Sequence, residues 1–186
     1  LMAHTLTPAQ ALEQILAGNQ RFVSGEPEHP NQDAERRADL VYGQEPFVTM
    51  FGCGDSRLAA EVIFDQGLGD MFVVRTAGHV IDAAVMGSLE YAVGELGTPL
   101  VIVLGHDSCG AVTATKQSLD AGAMPGGYIR NLVETIIPSV IAPSISENST
   151  INDMVREHTR QTAERILEQS RLIAHAVQNN RTAVLG

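Results

Sequence analysis

Three short runs of apolar residues constrain the fold of this chain more than any other feature. They cover residues 47–51, 71–74 and 100–104, and Gly, Pro or Asp residues adjoin them. Nearly continuous apolar runs of this length are typical of parallel strands that are buried on both faces. They predict three strands of one sheet, and residues 182–185 predict the start of a fourth.

Helical patterns lie between and after these strands. Apolar residues recur at three- or four-residue steps and predict helices over the segments 58–64, 83–96, 110–121, 128–142 and 151–177. Strand–helix alternation indicates an α/β fold with right-handed crossovers between parallel strands. The predicted architecture is a mainly parallel central sheet flanked by helices, with a helical arm at the N-terminus.

The N-terminal arm has its own signals. A capping box with proline at the first helical position spans Thr7 to Gln10 and predicts a helix that ends near Gly25. Residues 26–46 are polar and contain three prolines, so they predict an extended segment with one short helix near 33–42. Such a segment contributes little to a core, and we expect it to wrap a partner subunit.

The length of 186 residues suits one domain with a single core. Within it we distinguish residues 1–46, an N-terminal helix and extended dimerisation arm, from residues 47–186, an α/β domain that carries the functional groups. Leu1 before Met2 leads us to expect a trimmed start.

Composition excludes several classes of function. The net charge of −10 and the pI near 4.9 disfavour binding to nucleic acid, which requires clustered basic residues. No run of about 18 apolar residues predicts a membrane span, and no basic-then-apolar start predicts a signal peptide. We therefore expect a cytoplasmic protein whose two cysteines serve as thiols or metal ligands rather than as a disulfide.

Three soft ligands follow the predicted strands. Cys53 comes after the first strand, and His106 and Cys109 come after the third in the spacing His-x-x-Cys. Because ligands collect at the carboxyl ends of parallel strands, these side chains are expected at one edge. Two thiolates and one imidazole favour zinc, and three protein ligands are typical of a catalytic site. A structural site closed by Asp55, or no metal at all, are the alternatives that spacing leaves open.

The two loops together resemble one known family. C-G-D-S-R at 53–57 and G-H-D-S-C-G at 105–110 resemble the C-x-D-S-R and H-x-x-C-G motifs of the β-class carbonic anhydrases. The resemblance begins at G-N-Q-R-F (18–22), continues through F-V-V-R (72–75) and E-Y-A-V (90–93), and covers nearly the whole chain. Because the family usually continues past the final A-V-L-G, we expect a truncated C-terminal end.

The resemblance implies reversible hydration of carbon dioxide to bicarbonate and a proton. It implies one zinc ion per chain, held by Cys53, His106 and Cys109, and a catalytic pair formed by Asp55 and Arg57. In the active form Arg57 would hold the Asp55 carboxylate as a hydrogen-bond acceptor. In an inactive form Asp55 would become the fourth zinc ligand, and we expect the paired form to be favoured at higher pH. A plain salt bridge is the alternative.

The family pattern also implies a small apolar substrate pocket at a subunit boundary. The residues that match it are Gln44, Phe72, Ala77, Tyr91 and Gly110. The family pattern further implies self-association as a dimer, or as a tetramer built from dimers.

Some assignments remain open at this stage. His79 is a candidate proton shuttle, although a loop or core role is the simpler interpretation. Two other functions compete with carbon dioxide hydration: hydrolysis of carbonyl sulfide or carbon disulfide on the same scaffold, and a non-catalytic zinc or redox-sensing role.

Overall fold

The computed structural model describes residues 5–186. Its strands are β1 (Val48–Cys53), β2 (Met71–Thr76), β3 (Leu100–Leu104) and β4 (Ala183–Leu185). Its helices are α1 (Pro8–Ser24), α2 (Ala34–Asp39), α3 (Ala60–Ile63), α4 (Ala83–Gly94), α5 (Gly110–Ala121), α6 (Ile129–Val140), α7 (Ile151–Gln169) and α8 (Arg171–Gln178), with 3₁₀ turns at Leu40–Tyr42 and Ala77–His79.

The four strands form one parallel sheet in the order β2-β1-β3-β4, which confirms the predicted α/β architecture. Every residue of β1 is buried, as the apolar pattern predicts. Burial of β2 on both faces was a wrong prediction, because β2 is an edge strand and most of its side chains are only half-buried. An apolar run therefore identified the strand but not its place in the sheet.

The sheet packs against helices on both faces. Val48 and Met50 of β1 lie in a core with Ala11 and Ile15 of α1. The next residue of β1, Phe51, points to the opposite face and packs with side chains of α4, α7 and α8. This alternation follows from the two-residue period of a strand. A third core lies at the carboxyl ends of the strands and includes both cysteines.

Helix α1 begins and ends as its sequence predicts. Thr7 and Gln10 form the reciprocal capping box, and Gly25 adopts the left-handed conformation at the C-terminus. The polar segment that follows is anchored on its own chain: the backbone N–H groups of Glu28 and His29 donate to the Asp65 carboxylate at 2.9 and 3.0 Å. Wrapping of a second subunit by the arm stays a prediction.

The single long helix predicted over 151–177 is in fact two helices. The break falls at Ser170, whose backbone is extended with φ −101° and ψ 103°. Its side chain accepts a hydrogen bond from the backbone N–H of Ile173, and its hydroxyl donates to Glu90 of α4 at 2.6 Å. A tertiary contact thus stabilises a helix end within a continuous amphipathic pattern. Helix α3 is also shorter than the predicted segment 58–64.

None of the helices in residues 5–186 is long and apolar enough to cross a membrane.

Close packing of α1 leads to a test of the fold. Gly18 is buried in α1, and a Cβ atom there would lie 1.9 Å from the backbone oxygen of Phe64. Gly87 of α4 is exposed, and a Cβ atom there would meet nothing within 4 Å. We expect Gly18→Ala to destabilise the fold by about 1–3 kcal/mol, because the helix must move from the core.

Gly87→Ala is the matched control. It is expected to stabilise by about 0.5–1 kcal/mol, because alanine reduces the entropy of the unfolded chain. Thermal unfolding at one fixed protein concentration measures both changes. Equal melting temperatures for the two variants would contradict the packing.

Candidate metal centre

Two neighbouring parallel strands bring three metal-ligating side chains together. Cys53 is the last residue of β1, His106 lies two residues beyond β3, and Cys109 immediately precedes α5. The ligand atoms of the three residues all lie within 4.8 Å of one another. The sequence prediction that these side chains share one edge of the sheet agrees with this geometry.

The His106 ring is oriented by its neighbour. Its Nδ1 lies 2.9 Å from the backbone oxygen of Asp107, and because a carbonyl only accepts, Nδ1 carries the proton. In the neutral ring Nε2 is then unprotonated. It is buried and has no hydrogen-bond partner among residues 5–186. A bare, buried imidazole nitrogen within reach of two sulfurs has the form of a metal ligand.

The two cysteines are free thiols that share a hydrogen bond. The hydrogen bond from Cys109 lowers the pKa of Cys53 to about 4, with a further contribution from the backbone N–H of Gly78. The same interaction raises the pKa of Cys109, so that one proton is held between the two sulfurs. A divalent cation would displace this proton, since metal coordination deprotonates thiols outright.

The donor set fits zinc. Two sulfurs and one imidazole nitrogen match the ligand types and the three-ligand count of catalytic zinc sites. Zinc lies about 2.0–2.3 Å from each of its ligand atoms, so the ligand atoms of one zinc ion lie no more than about 4.6 Å apart. The observed separations all lie within 4.8 Å, which is close to this limit.

Asp55 lies beside this group and is held by Arg57. Arg57 Nε donates to Asp55 Oδ1 at 2.9 Å, and a terminal nitrogen of the guanidinium donates to Oδ2 at 2.7 Å. The backbone N–H of Arg57 adds a third bond to Oδ1 at 3.0 Å. These contacts hold the pKa of Asp55 well below its usual range, chiefly through the Arg57 side chain. Asp55 is therefore an ionised acceptor that is paired with arginine.

Comparison with known proteins identifies the family. The family model described as "Carbonic anhydrase" matches residues 48–186, which is most of the chain. The chain belongs to the β-class carbonic anhydrase family. The resemblance carried by the two loop motifs is thereby confirmed.

Curated relatives align over nearly the full chain. The chain is similar to "Carbonic anhydrase 2" of Mycobacterium tuberculosis, with 49% identity over 179 residues that cover 96% of this chain and 86% of the relative. It is also similar to "Carbonic anhydrase" of Mycolicibacterium smegmatis, with 50% identity over 96% of this chain and 87% of the relative.

Solved structures share the fold at lower identity. The β-carbonic anhydrase CcaA has a TM-score of 0.71 and 22% identity, over 93% of this chain and 80% of its own. One of two tetrameric β-carbonic anhydrases from Sordaria macrospora has a TM-score of 0.68 and 20% identity, over 93% of this chain and 88% of its own. At these identities the likeness shows the fold.

The five predicted pocket residues lie at the surface of the chain or near it. Ala77 and Gly110 are exposed and adjoin, in sequence, Gly78 and the ligand Cys109. The half-buried ring of Phe72 lies 6.1 Å from the ring of Tyr91, which is 48% exposed. Gln44 lies in the exposed segment before β1. Their role in substrate binding stays a prediction.

His79 is fully buried. Burial lowers its pKa to about 2, so the ring is neutral at physiological pH. These properties favour the core role over that of a proton shuttle to solvent.

Arg75 is a residue of the site that the sequence alone did not reveal. It lies in β2 opposite Gly52 of β1. Its guanidinium donates to the backbone oxygen of Cys53 at 2.9 Å and to that of Asp55 at 2.5 Å. The sequence did show an arginine near the carboxyl end of a predicted strand. Its partners are backbone oxygens of the neighbouring loop, and these can be identified only when the register of β1 against β2 is known. Arg75 fixes the loop that carries both Cys53 and Asp55.

A variant that removes the charge of Arg75 tests this role. We expect Arg75→Gln to weaken metal binding by about tenfold, because groups that orient metal ligands typically contribute that much. Competition with a chelator, followed by metal quantification, measures the change. Arg130→Gln is the matched control, since the exposed Arg130 side chain pairs with the exposed Glu134 on its own helix. Equal metal affinity in the two variants would contradict the role of Arg75.

Proposed function

We propose that this chain catalyses the reversible hydration of carbon dioxide to bicarbonate and a proton, with one zinc ion held by Cys53, His106 and Cys109. The observation that carries the proposal is the convergence of these three ligands beside an aspartate that is paired with arginine. Family membership supports the same reaction. The relatives compared above are named as carbonic anhydrases, so neither hydrolysis of sulfur analogues nor a non-catalytic role is favoured.

The metal supplies one part of the chemistry. Zinc acts as a Lewis acid that lowers the pKa of water and so provides the nucleophile near neutral pH. The chain supplies the rest: Cys53, His106 and Cys109 fix the position of the ion, and Asp55 orients the nucleophile.

Asp55 orients by accepting a hydrogen bond. An ionised carboxylate has no proton to give, so the nucleophile must donate its O–H to Asp55 and direct a lone pair towards carbon dioxide. Arg57 holds both carboxylate oxygens at once and thereby fixes the plane of the acceptor. The pair acts by positioning rather than by proton transfer at Asp55.

Asp55 also serves as a conditional fourth ligand in an inactive form. To reach the metal the carboxylate must leave Arg57 and give up a bidentate pair. We infer that higher pH would favour the paired form, because hydroxide would then compete better with the Asp55 carboxylate for the zinc ion that Cys53, His106 and Cys109 would hold. A crystal structure at low pH with zinc bound and Asp55 still on Arg57 would contradict this inactive form.

The functional unit is proposed to be a dimer, or a tetramer of paired dimers. Exposed aromatic and aliphatic side chains support this: Tyr42 in the arm is 94% exposed and Val41 is 77% exposed. Gln44 and Tyr91, the predicted pocket residues, are exposed as well, which suits a pocket closed by a second chain. The relative from Sordaria macrospora is described as tetrameric. Sedimentation that gives only a monomer would contradict the assembly.

A cytoplasmic location is proposed on the basis of the two free thiols. Buried cysteines that remain reduced are typical of reducing compartments.

The role of Asp55 is tested by removing its charge. We expect Asp55→Asn to retain one zinc per chain, because the three ligands are unchanged, and to lose hydration activity by about 100-fold or more, because an amide does not hold the acceptor geometry. Stopped-flow hydration on metal-quantified protein measures both quantities. Asp120→Asn on the exposed surface of α5 is the control, with activity equal to the wild type. Loss of zinc from Asp55→Asn would instead indicate a structural ligand.

The pH dependence of the rate is a second test. Two thiolates offset the charge of zinc, so this centre should acidify water less than a site of three neutral histidines does. We expect the hydration rate to rise between about pH 6.5 and about pH 9. The rise does not come from Asp55, because Arg57 lowers its pKa and the carboxylate is lost only as pH falls through that depressed value. A flat stopped-flow profile over this range would refute the assignment.

A further inference from the structure

Two buried histidines lie behind the metal centre. His79 and His158 are 0% and 3% exposed, and their rings stack with centroids 4.2 Å apart and planes 24° apart. His79 also presents an edge-to-face contact to Phe51 of β1. Neither ring belongs to the ligand group, and two polar rings in one core need an explanation, since buried polar groups cost free energy unless they are hydrogen-bonded.

His158 has well-defined hydrogen bonds. Its Nε2 lies 2.7 Å from the backbone oxygen of Gly78, and its Nδ1 lies 3.0 Å from the hydroxyl of Ser139. A carbonyl only accepts, so Nε2 carries the proton and donates to Gly78. Burial lowers the pKa of His158 to about 4, so the ring is neutral at physiological pH. Nδ1 faces the Ser139 hydroxyl, whose single proton also has Gln161 Oε1 as an acceptor at 3.0 Å. The ring is held from both sides.

Gly78 connects this histidine to a metal ligand. Its backbone N–H donates to the sulfur of Cys53 at 3.2 Å, while its carbonyl accepts from His158. The two groups belong to successive peptide planes that meet at the Gly78 Cα atom. When φ and ψ of Gly78 are fixed, the two peptide planes have a fixed relative orientation. The hydrogen bond from His158 to the carbonyl then also determines the direction of the N–H towards Cys53.

The backbone at this point is strained. Gly78 has φ +66°, and His79 has φ +40°, an unfavourable conformation for a residue with a side chain. At Gly78 itself, a Cβ atom would meet the side chains of Ala111 and Ile136 at 2.7 and 3.0 Å. Such a conformation persists only where surrounding contacts determine it. Here those contacts include the stacked rings, the His158–Gly78 hydrogen bond and the hydrogen bond that the Thr76 hydroxyl donates to the Val80 carbonyl at 2.9 Å.

We propose that His158 is a positioning residue of the metal centre, which acts by holding Gly78 so that its N–H donates to the Cys53 thiolate. His79 supports this arrangement by stacking on His158 and thereby keeping the strained turn in place. The inference rests on the proposed zinc site. A hydrogen bond to a ligating thiolate stabilises its negative charge and directs its lone pairs, which is how groups beyond the ligands tune a metal site.

Two amide variants separate hydrogen bonding from packing. In His158→Gln the side-chain amide nitrogen reaches the position of Nε2 and can still donate to Gly78. In His158→Asn the side chain is one methylene shorter, so it reaches Ser139 but not Gly78. The measurements are the thiolate-to-metal charge-transfer band of the cobalt-substituted chain and the dissociation constant for zinc by chelator competition.

We expect His158→Gln to keep the cobalt band and the zinc affinity of the wild type. We expect His158→Asn to shift the band to lower energy, because an unshielded thiolate is a better electron donor, and to raise the zinc dissociation constant about tenfold. His175→Gln, on the exposed side of α8, is the control and should change neither quantity. The band depends on the electrons of sulfur, and the Gln variant, which also lacks the ring, controls for the loss of ring packing.

The outcomes distinguish failure of the role proposed for His158 from failure of the proposed metal site. Identical bands and affinities in the Gln and Asn variants would overturn the role of His158, while leaving the metal site intact. A wild-type chain that binds neither cobalt nor zinc would overturn the metal site and this inference together. If His158→Asn does not fold, Ser139→Ala replaces it. Loss of the Ser139 hydroxyl removes a contact of the His158 ring and should shift the band in the same direction. An unchanged band would refute the proposal.

Discussion

The parallel pairing of β1 with β3 is the constraint on which the metal centre depends. Gly52 lies opposite Leu104, so the loops that follow the two strands begin at the same height on one sheet edge. A slip of one residue would turn Cys53 to the other face of the sheet. The second loop packs closely against α7 at Gly105. A Cβ atom at this position would lie 2.3 Å from the Thr159 hydroxyl. Strand register therefore determines ligand geometry.

Charge at this edge is balanced over several residues. Two thiolates would offset the charge of a divalent ion, and the Asp55 carboxylate is offset separately by Arg57. Arg75 contributes a second guanidinium, which binds the backbone of the same loop. Because Asp55 already has a cationic partner, the electrostatic attraction that would draw it to the metal is reduced.

Much of the fold and the convergence of the three candidate ligands could be predicted from the sequence, because strands, caps and loop motifs are local patterns. The start of α1 and the positions of Cys53, His106 and Cys109 are of this kind. Features that depend on tertiary contacts could not be predicted. The break at Ser170 requires Glu90 from another helix, and the edge position of β2 depends on strand order.

The candidate metal centre is also part of the core, so metal binding would be linked to folding. Cys53 and Cys109 are buried in one cluster with Val112 of α5, Ile136 of α6 and Met154 of α7, so the ligands lie where three helices meet the sheet edge. A bound ion would cross-link β1 to the residue that begins α5 and would contribute its binding free energy to the folded state. The core under α1 contains no ligand and gains no such contribution. Loss of metal should therefore loosen α5, α6 and α7 before it affects α1, since local stability follows local contacts.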